Sequence, residues 1–150
     1  MKRFLHVMLM LVITAGACLA QPGGQRFSPE KFRADLERYI TKEVGFTQSE
    51  AREFYPLYHE MKDKQRDLQH KVFELKKNMR PYASEKEFTN AVLRITSLNR
   101  QKAELEETYY KKMCKAVPAK KVYEAMLAED RFHRQMLNRM DHHNQHKKRR

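Results

Sequence analysis

The chain predicts an all-α protein: an elongated hairpin of two long antiparallel helices, with a shorter helix before it and another after, that dimerises. Three observations carry this. Between Thr47 and Met79 apolar residues recur in steps of three and four at Ala51, Phe54, Tyr58, Met61, Leu68, Val72, Leu75 and Met79, with Gln65 in one polar slot; that spacing draws one stripe along one helix face. Two capping boxes, Thr47-Gln48-Ser49-Glu50 and Ser84-Glu85-Lys86-Glu87, mark two helix starts. Nowhere does a two-residue apolar alternation rise above noise. A helix of this length spans about 50 Å, too long for a domain of this size to wrap. Its stripe must meet a second long helix, antiparallel in the same chain or from a second subunit.

The elements follow in order. Ser28-Pro29-Glu30 opens a short helix, with Ser as N-cap, Pro at the first helical position and an acid in the first turn. Phe32, Leu36, Tyr39 and Ile40 give it an apolar face, and Val44-Gly45-Phe46 turns the corner. The first long helix runs to Arg80-Pro81, since proline disfavours helical geometry in the residue before it. The link Arg80 to Ala83 is short enough to make the next helix an antiparallel neighbour. That helix repeats the seam at Phe88, Ala91, Ile95, Leu98, Leu105, Tyr109 and Met113, with Lys102 in one slot. Val117-Pro118 ends it and starts a fourth, with Val122, Tyr123, Met126, Leu127, His133, Met136, Leu137 and Met140 along it. Residues 28–140 form one helical domain, and the basic, histidine-rich tail 141–150 is expected to be disordered.

Residues 1–20 read as an export signal. Lys2 and Arg3 are the basic start, Phe4 to Ile13 the apolar core, and Ala20 the cleavage point. A retained anchor, or lipidation at Cys18, are the alternatives; the latter has Ala15 where Leu is usual. Residues 21–27, with Pro22-Gly23-Gly24, make a flexible leader. The expected compartment is the periplasm. Cleavage leaves Cys114 as the lone cysteine, either a semi-buried apolar residue or the site of an intermolecular bridge. The formal charge of +12 would fall by two with Lys2 and Arg3. In an exported protein such basicity points to anionic envelope surfaces and acidic polypeptides, not to nucleic acid. Its densest zone is Lys111, Lys112, Lys115, Lys120 and Lys121, with no acid between Thr108 and Tyr123.

No nucleophile–base constellation is legible, and none of the 4 glycines sits in a phosphate-cradling loop. Paired acids such as Glu106-Glu107 and Glu129-Asp130 lie among lysines and arginines, as solvated ion-pair partners do. The reading is a non-enzyme. His142, His143 and His146 are the candidate metal ligands, for zinc, nickel or copper, although their spacing matches no closed structural site. Methionines at seam positions suit either adaptable core packing or a pliable binding surface.

Phe46-Thr47-Gln48-Ser49-Glu50, followed by Phe54-Tyr55-Pro56-Leu57-Tyr58, resembles the first Leu-Thr-x-x-Gln signature of Spy/CpxP-like exported proteins, with Phe46 for the Leu and Glu50 for the Gln. Val117-Pro118-Ala119-Lys120-Lys121-Val122-Tyr123 resembles the second signature region without its Thr and Gln. The likeness is greatest to the subgroup described as sensors of ECF sigma factors. It implies a thin helical hairpin, often dimeric with a cradle-like concave face. It also implies ATP-independent chaperone activity toward unfolded clients in some members, and zinc, nickel or cobalt binding or stress sensing in others.

Together these give a periplasmic client-binding protein, a chaperone or envelope-stress adaptor. Lys111, Lys112, Lys115, Lys120 and Lys121 would attract acidic, unfolded clients, and Phe54, Tyr58, Tyr109 and Tyr110 would hold their apolar segments. No cofactor is required. The alternative is a metal-sensing domain coupled to a membrane-bound regulator.

Overall fold

A computed structural model describes residues 28–148 of the protein, with side chains through Arg139. The export signal and leader lie outside the described residues. The described chain is all-α, with four helices: α1 (Pro29–Val44), α2 (Gln48–Lys77), α3 (Glu85–Ala116) and α4 (Ala119–Lys148).

The local signals account for the boundaries. At the start of α1 the Lys31 N–H donates to Ser28 Oγ at 3.2 Å, satisfying one of the free amides of a first turn. Both capping boxes form. Thr47 Oγ1 accepts from the Glu50 N–H while Glu50 accepts from the Thr47 N–H, and Ser84 and Glu87 repeat the exchange. Gly45 takes φ +67°, the left-handed conformation a side chain resists. Helix α2 stops at Lys77 with Asn78 as its cap, short of Arg80, because residues 78–83 are needed to reverse the chain. Pro56 lies inside α2 on its exposed face, where the hydrogen bond it cannot make is lost toward water. Helix α4 runs on to Lys148, through residues expected to be disordered. No glycine or proline follows Pro118 to stop it, and lysines suit the negative end of a helix dipole.

Helices α2 and α3 form the antiparallel hairpin and share one seam, with Phe54, Tyr58, Met61, Gln65 and Val72 of α2 and Leu98, Tyr109 and Met113 of α3 buried. The predicted stripe, its polar slot at Gln65 included, is the buried one. Near the Gly45 corner α1 and α4 add to the hairpin. Tyr55 Oη donates to the Glu37 carbonyl at 2.8 Å, Arg33 pairs with Asp63, and Tyr39 meets Phe132 at 5.5 Å between ring centroids. Ile40, Met61, Met113 and Ala128 are fully buried in this part.

Among the described residues, large apolar side chains of the hairpin are left open toward the 78–84 turn. Val72 and Leu98 are buried there, whereas Phe73, Phe88, Val92 and Leu93 are exposed. On α4 the buried face is Val122, Ala125, Ala128 and Phe132, and Tyr123, Met126, Leu127 and Leu137 of the expected seam are exposed instead. The small residues Ala125 and Ala128 let α4 lie close to its neighbours, which selects that face over the bulkier one. Cys114 is exposed, not semi-buried, because it sits one position beyond the seam residue Met113.

Candidate client-binding surface

The residues expected to hold apolar segments are mostly inside. Phe54 is 1 % exposed, Tyr109 2 % and Tyr58 4 %. Phe54 lies between Phe46, at 4.9 Å, and Tyr58, stacked at 5.6 Å. Tyr109 is held from outside by Lys64, which donates to its hydroxyl at 2.9 Å, and by Lys112, 4.5 Å from its ring centroid. These rings serve the fold and are closed to a client. The helical period places a residue on a face; it does not say whether that face is the covered one, and here the seam between α2 and α3 is covered. Tyr110 is half-buried, and its hydroxyl pKa is pushed up by burial and then by the carboxylates of Glu106, Glu129 and Asp130.

The basic zone is largely occupied. Lys121 pairs with Glu50 at 2.6 Å and donates to the Gly45 carbonyl at 3.0 Å. Lys111 pairs with Glu107 and Lys120 with Glu124, each one helical turn away. Lys112 lies over Tyr109. Lys115 alone of this set has no partner among the described residues. The stretch lacks acids in sequence, but helix geometry brings them from the flanks and α2 brings Glu50 across.

The structure exposes a different set. Phe73 is 55 % exposed, Tyr82 98 %, Val92 62 % and Leu93 63 %. Phe88 joins them, one turn before Val92 on α3. Lys77 Nζ lies 5.9 Å from the Phe73 ring centroid, and Lys71, Lys76 and Arg94 make no ion pair among the described residues. A separate open groove of about 460 Å³ lies between α2 and α3, lined by Leu75, Met79 and Leu98 with His70, Lys71, Glu74 and Arg94, and by none of these exposed apolar residues. The groove offers apolar contact beside the cations Lys71 and Arg94, with His70 and Glu74 also in its lining. The signal of the exposed set in the sequence was present: Phe73, Val92 and Leu93 are large apolar residues off the period of their seams.

Among residues with described side chains, no group of three or more histidines, cysteines and acids is placed to hold a metal ion. The side chains of His142, His143 and His146 lie outside the described residues. No helix among the described residues is long and apolar enough to cross a membrane. Comparison of the chain with family models, with characterised proteins and with solved structures finds no match.

Proposed function

We propose that this is a non-catalytic client-binding protein of the periplasm, a chaperone or envelope-stress adaptor that holds unfolded segments on the 78–84 end of its hairpin. One observation carries the reading: Phe73 of α2, Tyr82 of the turn and Phe88, Val92 and Leu93 of α3 are exposed, and Lys71, Lys76 and Arg94 of the same stretches make no ion pair among the described residues. Scattered surface apolar residues need no explanation, but a group of large ones at one end of a thin hairpin marks an interaction surface. The cations would draw acidic segments in at long range, and the apolar residues would then hold them weakly. Such binding needs no nucleotide. The export signal read from residues 1–20 supplies the compartment, and the resemblance to Spy/CpxP-like proteins agrees with the activity. Light scattering from a chemically reduced, aggregating client tests it. Suppression at a one-to-one ratio supports the reading, and an unchanged aggregation curve overturns it.

A further inference from the structure

Along one side of the α2–α3 seam runs a trough that none of the exposed apolar residues lines. The groove floored by Leu75, Met79 and Leu98 continues into a second of about 400 Å³, and the two share Leu75, Asn78, Met79 and Arg94. Along α3 the trough extends from Glu87 to Leu98, about 16 Å at the helical rise. The helical period sets it apart from the proposed client surface. Lys71, Glu74 and Asn78 flank one edge of the α2 seam and Gln69, Phe73 and Lys76 the other; on α3, Asn90 and Arg94 flank one edge and Phe88 and Val92 the other.

The floor is apolar: Leu98 is buried, and Leu75, Met79 and Ala91 are half-buried. The charges of the lining do not balance, because Lys71, Arg80 and Arg94 stand against Glu74 and Glu87, one cation in excess. Glu87 is taken by Arg80 at 2.9 Å and by the Ser84 N–H at 2.8 Å. Glu74 accepts from the Asn78 side chain at 3.3 Å. Arg94, which lines both halves of the trough, and Lys71 make no ion pair among the described residues.

We infer that this trough binds a single-chain aliphatic carboxylate, its head on Arg94 and Lys71 and its tail running toward the turn over Leu75, Met79 and Ala91. Charge complementarity selects the head: a guanidinium fork takes a carboxylate through two parallel hydrogen bonds. The tail is selected by what the walls lack. Both helices spend their backbone groups in their own ladders, so a peptide lying here would find only side chains to meet its N–H and C=O groups. An alkyl chain asks for no such partners and gains from the apolar floor. The trough is open along its length, so the affinity is modest, with a Kd of about 10–100 μM. The inference does not rest on client holding.

The test is calorimetric titration of the full chain with decanoate below its micelle concentration. The wild type is expected to bind one decanoate per chain, and acetate, which has the head without the tail, is expected to give no binding. Arg94→Gln, at an exposed position, should keep the melting temperature and weaken decanoate binding about tenfold. Phe73→Ser/Phe88→Ser/Val92→Ser, on the other side of the seam, should leave the decanoate affinity unchanged, which separates this site from client holding. Decylphosphocholine, with the same tail and a head ending in an ammonium that Lys71 and Arg94 repel, should bind more weakly. Absence of decanoate binding, acetate bound as tightly as decanoate, an Arg94→Gln variant that binds like the wild type, a triple variant that loses binding, or decylphosphocholine bound as tightly as decanoate each overturns the inference.

Discussion

Lys121 on α4 lies 2.6 Å from Glu50 on α2, and the same Glu50 oxygen accepts the Thr47 amide at 2.8 Å. One carboxylate therefore completes a capping box and pins the start of α4 to the start of α2. The lysine beside it and the Thr47 N–H together lower the Glu50 pKa from the ordinary 4.5 to about 2. A carboxyl whose pKa is lower folded than unfolded contributes stability above its unfolded pKa and loses it as pH falls through the folded value. Glu50→Gln should lower the melting temperature at pH 7, and its deficit against the wild type should shrink as pH falls from 4.5 toward 2. Glu60, Glu87 and Glu107 are shifted down as well, by Lys64, by the Ser84 N–H and by Lys111, so the variant keeps part of the acid-side slope. Thermal melts across this pH range check both statements.

The Tyr58 hydroxyl is buried and meets no hydrogen-bond partner at full bonding geometry among the described residues, with the Glu129 carboxylate close enough to act on it. Burial and the Glu129 carboxylate raise its pKa, so it stays neutral. A buried hydroxyl without a partner costs about 1–3 kcal/mol of desolvation. Tyr58→Phe removes that cost and keeps the stack on Phe54. Urea unfolding should show the variant at least as stable as the wild type, by up to about 1 kcal/mol. Phe54→Ala, at a fully buried ring, should lose about 3–5 kcal/mol in the same assay. A client-binding role for Phe54 would have left stability nearly untouched.

Gly45 tests the corner between α1 and α2. Its φ is +67°, and a Cβ built on it meets nothing within 4 Å. Gly45→Ala therefore carries backbone strain and no clash. It should cost about 1–2 kcal/mol, and Gly45→Asn, which tolerates the left-handed region better, should cost less.

Charge attraction should be carried by the hairpin end. Replacing Lys71, Lys76 and Arg94 together by Gln should slow capture of an acidic unfolded client several-fold at low salt, with the difference closing as salt rises. Lys121→Gln should act differently: it frees Glu50 and Gly45 from their partner, so it lowers the melting temperature. Stopped-flow binding at two salt concentrations, beside melts of both variants, separates the roles.

These contrasts show where reading the chain succeeds and where it stops. Caps, turns and seams are local, and each leaves a signature within a few residues; hence Thr47-Glu50, Ser84-Glu87, Gly45 and the stripe through Met61 and Gln65 were all legible. The site depends on what lies over a face. Phe54 and Tyr109 are apolar residues on a helix stripe whether the stripe is covered or open, and burial comes from a facing helix brought in from distant sequence. Lys121 looked like part of a free basic zone because Glu50 stands 71 residues away in the chain. The polar composition of residues 141–148 hides the continuation of α4 to Lys148, which the absence of a glycine or proline after Pro118 permits.

The most direct test of client holding at the hairpin end is a dose curve for suppression of aggregation, comparing the wild type with Phe73→Ser/Phe88→Ser/Val92→Ser. All three side chains are exposed, so the melting temperature should hold within about 2–4 °C. The expected result is that the triple variant needs about ten times more protein for the same suppression, the shift that about 1.4 kcal/mol of lost affinity gives. A dose curve that overlays the wild type would contradict the account.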